Sequence, residues 1–421
     1  MACSASSSWL LAMAAGTLWF AATVAADTPA AKYVETLGFR EHPIRVGNGK
    51  GGWKLRPAEL QFVHKPGVTQ LMPFGLAQMD NGEVLFLASA ETAASGQTAR
   101  SFVPVVAFSA DGGGTWTELT PVPDCPQGRP MMLTYLGRGD LCFQVAGGAT
   151  SSVLRLYSHD YGRTWPERVA LTAAEGQAWN VEGNPLIDRD PAGAAVRIAE
   201  IGYKAYSGPV WPGAFDGFIR WSRDGGRTWT DESKPEAWRV DMGWNGEHHV
   251  RGVSEGSLTR AQNGRLVAAL RVDMPPRYYV NGQAGVDYDD SLEGLGMSIS
   301  KDDGRSWSPI NLLYEAGRHH PHLMTLLRGD IVMTYIVRDD VRDRRLASYR
   351  RGCEALISRD NGETWDISRR IILDEFEFLD GEKWFNGNTG HLYSTLLTDG
   401  RILTVYGNYL SRGACLIRWK P

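Results

Sequence analysis

The strongest constraint on this chain is a phrase that it repeats five times. The copies run Ser109–Trp116, Ser158–Trp165, Ser222–Trp229, Ser300–Trp307 and Ser358–Trp365, all on the pattern S-x-D-x-G-x-[TS]-W. An Asp at the start of a turn accepts hydrogen bonds from the backbone N–H groups that follow it. The Gly supplies a positive φ that closes the hairpin. The Trp opens the outgoing strand and has a large apolar ring to bury. Repetition over eight positions implies a repeat architecture.

A second series of turns interleaves with the first. Apolar strand pairs flank Asn81-Gly82, Arg138-Gly139-Asp140, Asp188 to Gly193, Asn263-Gly264, Arg328-Gly329-Asp330 and Asp399-Gly400. Their spacing is about 64 residues, a repeat-unit period. Each of the first five is followed by one Asp phrase, and the sixth by a degenerate strand pair, Asn408 to Trp419. Each unit therefore reads as a four-stranded antiparallel blade, and six units make an all-β, six-bladed β-propeller. Residues 33 to 60 are expected to supply a strand that helps close the ring, with Phe39 and Ile44 as candidates. Long inserts around 273–293 and 366–389 fall between strands, where binding loops usually lie.

Composition agrees. The chain has 421 residues, with 48 Gly for many tight turns and 15 Trp, five of them used by the repeats. A net charge of −4, with both signs interspersed, gives no footprint for nucleic acid or an anionic membrane. Trp9 to Ala25 is an apolar run ending in small residues before Asp27, though no Lys or Arg precedes it. We expect residues 1–26 to be a signal peptide, residues 27–421 to be one propeller domain, and the mature protein to be secreted or periplasmic without a membrane anchor. Cys125, Cys142, Cys353 and Cys415 would remain, as two disulfides in any of three pairings or as buried thiols.

Strand direction sorts residues between the two ends of the disc. Both turn series lie at one end, so the Asp carboxylates are structural. Residues that begin a blade's first strand or end its second lie at the other, around the channel mouth. That rim holds Glu91, Arg129, Glu182, His248, His249, Arg251, Glu255, Arg271, Arg318, His319, His320, His322, Arg338, His391 and Tyr393. Six of the nine His fall on it. In blade four, one hairpin brings Glu255 and Arg271 to the same rim. A guanidinium there can grip a carboxylate in bidentate fashion, and a Glu can act as base or polarise a hydroxyl.

The repeated phrases resemble the Asp boxes, or BNR repeats, of the sialidase superfamily, and the mature chain is similar to that family throughout. The resemblance implies that Glu255 partners the nucleophile and that Arg271 belongs to the carboxylate-binding triad. The family's Tyr nucleophile sits in a Gly-Tyr-Ser-x-Leu setting. Here Thr389-Gly-His-Leu-Tyr-Ser-Thr-Leu396 matches through Tyr393 on the Tyr-Ser-x-Leu side, and through His391 when counted back from Asp399-Gly400. Blade one departs from the family: Gln70-Leu-Met-Pro73 replaces its Arg-Ile-Pro, so Leu71 or Met72 stands where the first Arg should be. Glu91 and Glu182 are stand-ins for the general acid, and Arg318 or Arg338 for the third Arg. The His-rich stretches 247–249 and 319–322 lie outside the family pattern.

These readings imply an exported exo-glycoside hydrolase acting on sialic acid or a related acidic sugar. Tyr393 would be nucleophile with His391 as close neighbour, Glu255 its base, Glu91, Glu182 or a His the acid, and Arg271, Arg251, His249, Arg318, His320, His322 and Arg338 the substrate contacts. A lyase or hydrolase using His and Tyr on uronate or deoxysugar glycans is the alternative, as is a glycan-binding propeller without catalysis. No cofactor and no metal are expected: His248, His249, His320 and His322 could hold a metal in a metal-dependent propeller, but adjacent His on a strand point opposite ways, which weakens that alternative.

Overall fold

The computed structural model describes residues 38–93, 100–146, 152–172, 179–205, 215–244, 247–272, 293–342, 345–348, 350–377 and 389–421. The expected signal peptide and most of the 273–293 insert lie outside them, as do residues 378–388. The described chain is almost entirely antiparallel β-structure in six blades. Blade one comprises Gln70–Gln78, Val84–Ala93, Arg100–Ser109 and Thr120–Pro121. Blade two comprises Arg129–Gly137, Asp140–Ala146, Ser152–Ser158 and Glu167–Thr172. In blade three the first strand is split into Trp179–Asn180 and Leu186–Arg189, followed by Ala195–Ala205, Phe215–Ser222 and Thr230–Ser233. Blade four is Val253–Arg260, Leu266–Val272, Gly294–Ser300 and Asn311–Tyr314. Blade five is Arg318–Thr325, Ile331–Val337, Arg350–Ser358 and Ile371–Glu377. Part of the expected 366–389 insert is thus blade five's own outer strand.

Blade six takes three strands from the C-terminal end of the chain, Thr389–Leu396, Ile402–Asn408 and Gly413–Trp419, and its fourth, Glu59–Val63, from the N-terminal end. That pairing closes the ring. Ile44, expected in this role, instead begins Ile44–Gly47, which extends the edge of blade five beside Ile371 and Ile372. Phe39 packs against the core shared by blades six and one.

The repeated turns are built alike. In the first, the Ser109 hydroxyl donates to Asp111 at 2.8 Å and accepts from Gly113 N at 2.7 Å. Asp111 also accepts from Thr115 N and Thr115 Oγ1. In the later four, the Trp indole donates to its own turn's Gly carbonyl. Trp116 instead donates to Gln61 on the closing strand. The turn Gly has two reasons to lack a side chain: φ is +85° at Gly162, and a Cβ there would stand 2.3 Å from Leu85 of blade one. The turns are therefore spacers between neighbouring blades. Among the described residues no disulfide joins Cys125, Cys142, Cys353 or Cys415, and the last three are buried.

Candidate active site

The inner strands are not regular. Their pairing with the second strands shifts between Pro73 and Gly75, Val253 and Gly256, His319 and His322, and Gly390 and Leu392. His320 and His391 take φ of +45° and +51° at these bulges, and Met132 of blade two takes +56°. A bulge re-aims a side chain that simple alternation would place in the sheet. In blade three, the break between the half-strands does the same for Glu182. Close approach makes that break possible. A Cβ on Gly183 would stand 1.7 Å from Gly256 O, and Asn184 O accepts from Leu258 N.

Side chains from all six blades meet as a result. Glu255 is buried and accepts from Arg271 Nη1 at 2.9 Å. It also takes the backbone N–H of His320 at 3.3 Å, and His320 Nε2 lies 3.3 Å from its other oxygen. Glu293, the one described residue of the first insert, lies 3.9 Å from Arg271. The His320 ring is 4.8 Å from that of His391, which is 4.4 Å from Phe74. His391 Nδ1 is 2.7 Å from Tyr409 Oη, and its Nε2 is 2.9 Å from Arg129 Nη2. Glu182 accepts from the Tyr203 hydroxyl at 2.9 Å, and its carbonyl accepts from Tyr393 at 3.3 Å. Burial first, then the charges of Glu182 and Glu255, hold the Tyr393 phenol well above its usual range.

The structure thus brings together Glu182, Glu255, Arg271, His320, His391 and Tyr393 from the sequence-derived set. His322 is buried two residues further along the same strand, its ring 6.4 Å from Tyr393, and burial drives its imidazole down to about 3. Arg338 donates to Thr389 O on the strand that carries His391. Arg318 turns outward instead, to Asp339 O, Asp340 and Glu354. His249 and Arg251 lie in a ribbon, Val240–Trp244 with Glu247–Arg251, that precedes blade four's first strand. Glu91 is buried near the end of blade one's second strand, opposite Gln70 and Phe102. Tyr203, Glu293 and Tyr409 carried no sequence signal. Arg129 was on the rim, but nothing in its neighbourhood distinguished it.

Glu182, His320 and His391 offer ligand atoms within 4.8 Å of one another, a set that in principle suits a divalent cation. The detail argues otherwise. Both His391 nitrogens are engaged, one by a guanidinium, and a cation would have to displace Arg129 from the lone pair it needs. At the far ends of the strands, the Gly turns and Asp turns carry a separate ion network of Asp188, Arg197, Arg260 and Asp303.

No family model and no curated protein matches the chain in sequence. Solved structures do resemble it. The fold is sialidase-like. A Hadza microbial sialidase aligns at TM-score 0.56 and 15% identity, over 84% of this chain and 66% of that one. The leech intramolecular trans-sialidase aligns at 0.53 and 14%, over 84% and 68%. A protein of unknown function from Dyadobacter fermentans aligns at 0.57 and 16%, over 86% of this chain and 99% of that one. At these identities the likeness concerns the fold. Among the described residues, no helix is long and apolar enough to cross a membrane.

Proposed function

We propose that the protein is an exported, exo-acting glycoside hydrolase of sialidase type that cleaves glycans at an acidic sugar. The observation that supports this most is the meeting of two carboxylates, Glu182 and Glu255, with two guanidinium groups, Arg129 and Arg271, around His391 and the Tyr393 hydroxyl. Paired carboxylates serve glycoside cleavage as acid and base. Guanidinium groups beside them suit a sugar that brings its own carboxylate. In this reading Arg271 and Arg129 hold the sugar carboxylate, and Glu182 protonates the leaving oxygen. Tyr393 or a water attacks the anomeric carbon as a neighbouring base takes its proton. The attacking group must shed a proton because the Tyr393 environment favours the neutral phenol. The apolar leader Trp9 to Ala25 supports export.

One observation favours elimination as a second reading. The bulge position of blade six, where the family resemblance leads one to look for Tyr, holds His391 with one nitrogen on an arginine. A His beside an arginine-held carboxylate is arranged to remove the proton α to that carboxylate. Activity on labelled sialosides and uronate oligosaccharides, with sugar release and ultraviolet absorbance followed together, tests both. Release without absorbance supports hydrolysis, and a new C=C absorbance supports elimination. Saturable binding with neither signal across the panel refutes both in favour of a binding propeller.

A further inference from the structure

The geometry points to Arg129 as a latch on His391, one that an anionic sugar opens. This rests on the reading above only for the identity of the anion. Arginine can donate but cannot accept a hydrogen bond. Because Arg129 Nη2 lies 2.9 Å from His391 Nε2, that nitrogen must accept, and it carries no proton. The single ring proton of the neutral imidazole is then on Nδ1, donated to Tyr409 Oη at 2.7 Å. The two contacts fix one tautomer of a neutral histidine.

Arg129 itself is unusual for a guanidinium packed among polar groups. Among the described residues it makes no ion pair. Its partners are the His391 nitrogen and the Phe74 ring, 5.5 Å from Cζ, while its buried Nε has no hydrogen-bond partner. Every other guanidinium around the centre has an oxygen to bind: Arg271 has Glu255, and Arg338 has Thr389 O. A carboxylate presented to Arg129 offers two charged acceptors in place of one neutral nitrogen, a stronger and bidentate contact. Moving to it takes the Nη2–H off His391 and leaves the Nε2 lone pair free. His391 then accepts a proton from the reacting group: an H–X bond of substrate or water breaks, an Nε2–H bond forms, and the electron pair stays on X. The resulting imidazolium keeps its Nδ1–H on Tyr409. Neutral sugars lack the charge that draws Arg129 away, so the base is uncovered only for an acidic one. Arg129 acts here as a positioning and specificity residue, and His391 as the proton acceptor.

Nitrogen-15 spectra of the full-length protein with labelled histidine test this without any turnover. In the free protein His391 should show an unprotonated Nε2 and a protonated Nδ1. Glucuronate should shift the Nε2 signal, and glucose at the same concentration should leave it unchanged. Arg129→Met should move that signal in the absence of any sugar and lower kcat/KM on an acidic substrate about tenfold to a hundredfold, the worth of a charged hydrogen bond. Arg129→Lys should restore part of the loss. Tyr409→Phe, which keeps Arg129, should keep Nε2 unprotonated, because the guanidinium still donates to it. A protonated Nε2 in the free protein, or equal responses to glucuronate and glucose, overturns the latch. The predicted tautomer and carboxylate response without turnover of any glycan would uphold the latch and overturn the proposed function instead.

Discussion

Replacing Glu255 with Gln tests the centre where its physics is sharpest. The Glu255 carboxylate is buried and accepts from Arg271 Nη1 and the His320 backbone N–H, with His320 Nε2 3.3 Å from one oxygen. A Gln amide keeps the shape, but it turns one acceptor into an NH₂ that faces a donor, and it removes the charge. Arg271, itself buried, would retain Glu293 at 3.9 Å as its nearest remaining carboxylate among the described residues. Breaking one half of a buried pair typically costs about 3–5 kcal/mol, because the other charge is left uncompensated. Glu293 offsets part of this, so we expect Glu255→Gln to lower stability by about 2–4 kcal/mol. Urea unfolding with unchanged m reads this directly. The Glu255→Gln/Arg271→Met double variant should lose less than the sum of the two single losses, with a coupling of about 1–3 kcal/mol. Turnover should fall by about a hundredfold or more if Glu255 takes part in proton transfer. A loss under about 1 kcal/mol with no coupling would mean that Glu255 is not a desolvated, paired charge. Wild-type turnover in a folded Glu255→Gln protein would remove it from the chemistry.

Gly183→Ala should destabilise the protein by about 1–3 kcal/mol and reduce turnover, since its Cβ would meet Gly256 O and push Glu182 off the centre; thermal melting and kcat measure the two effects. His322, held near 3 by burial against about 6.5 when unfolded, contributes stability present in full above about pH 6.5 and lost as pH falls toward 3. His322→Phe should flatten urea midpoints across that window, and an unchanged slope would show that His322 is not buried neutral. Asp302 is held at about 2 by hydrogen bonds from Ser306 and Ser300, so its contribution is present above about pH 3.9 and lost as pH falls through 2. Ser306→Ala should raise the Asp302 titration, read from its carboxyl carbon shift.

The blades were legible because their turns demand particular residues. Gly82, Gly139, Gly264, Gly329 and Gly400 all take the positive φ that the sequence implied. The sorting of residues between the two ends follows from strand direction alone, and it brought Glu255, Arg271, His320, His391 and Tyr393 to one centre. What the sequence hid is local. Period-two alternation breaks wherever the inner strand bulges, so nothing in the sequence told which of His319, His320 and His322 faces the axis. His320 does, at φ +45°, because the bulge adds one residue against blade five's second strand. Arg318 shares the rim, yet Asp340, in the ribbon Asp340–Arg342 that follows blade five's second strand, and Glu354, on that blade's third strand, draw it outward. Those carboxylates lie 22 and 36 positions further along the chain, and no local pattern links them to Arg318. Ring closure was anticipated from the wrong strand for a similar reason. Ile44 and Leu60 are both buried apolar residues in short strands, and only the pairing of Glu59–Val63 with the last strand distinguishes them.

The bulges also explain how one rigid disc gathers this chemistry. In a regular propeller, the innermost strands present a ring of backbone and small side chains to the axis. Here the irregularities in blades one, four, five and six push Phe74, Glu255, His320 and His391 inward, and the broken strand of blade three adds Glu182. Arg129 reaches the same place from the start of blade two's first strand. Each side chain is therefore set by a different sheet, and each sheet is locked to its neighbours by the repeated turns at the far end. Positive φ at His320 and His391 is costly for non-Gly residues and is sustained only where the surrounding structure determines it. The stiffness of the turn-bearing end and the strain at the channel end are parts of one arrangement. The first holds six sheets in register, so that the second can keep His391, two carboxylates and two guanidinium groups at one centre.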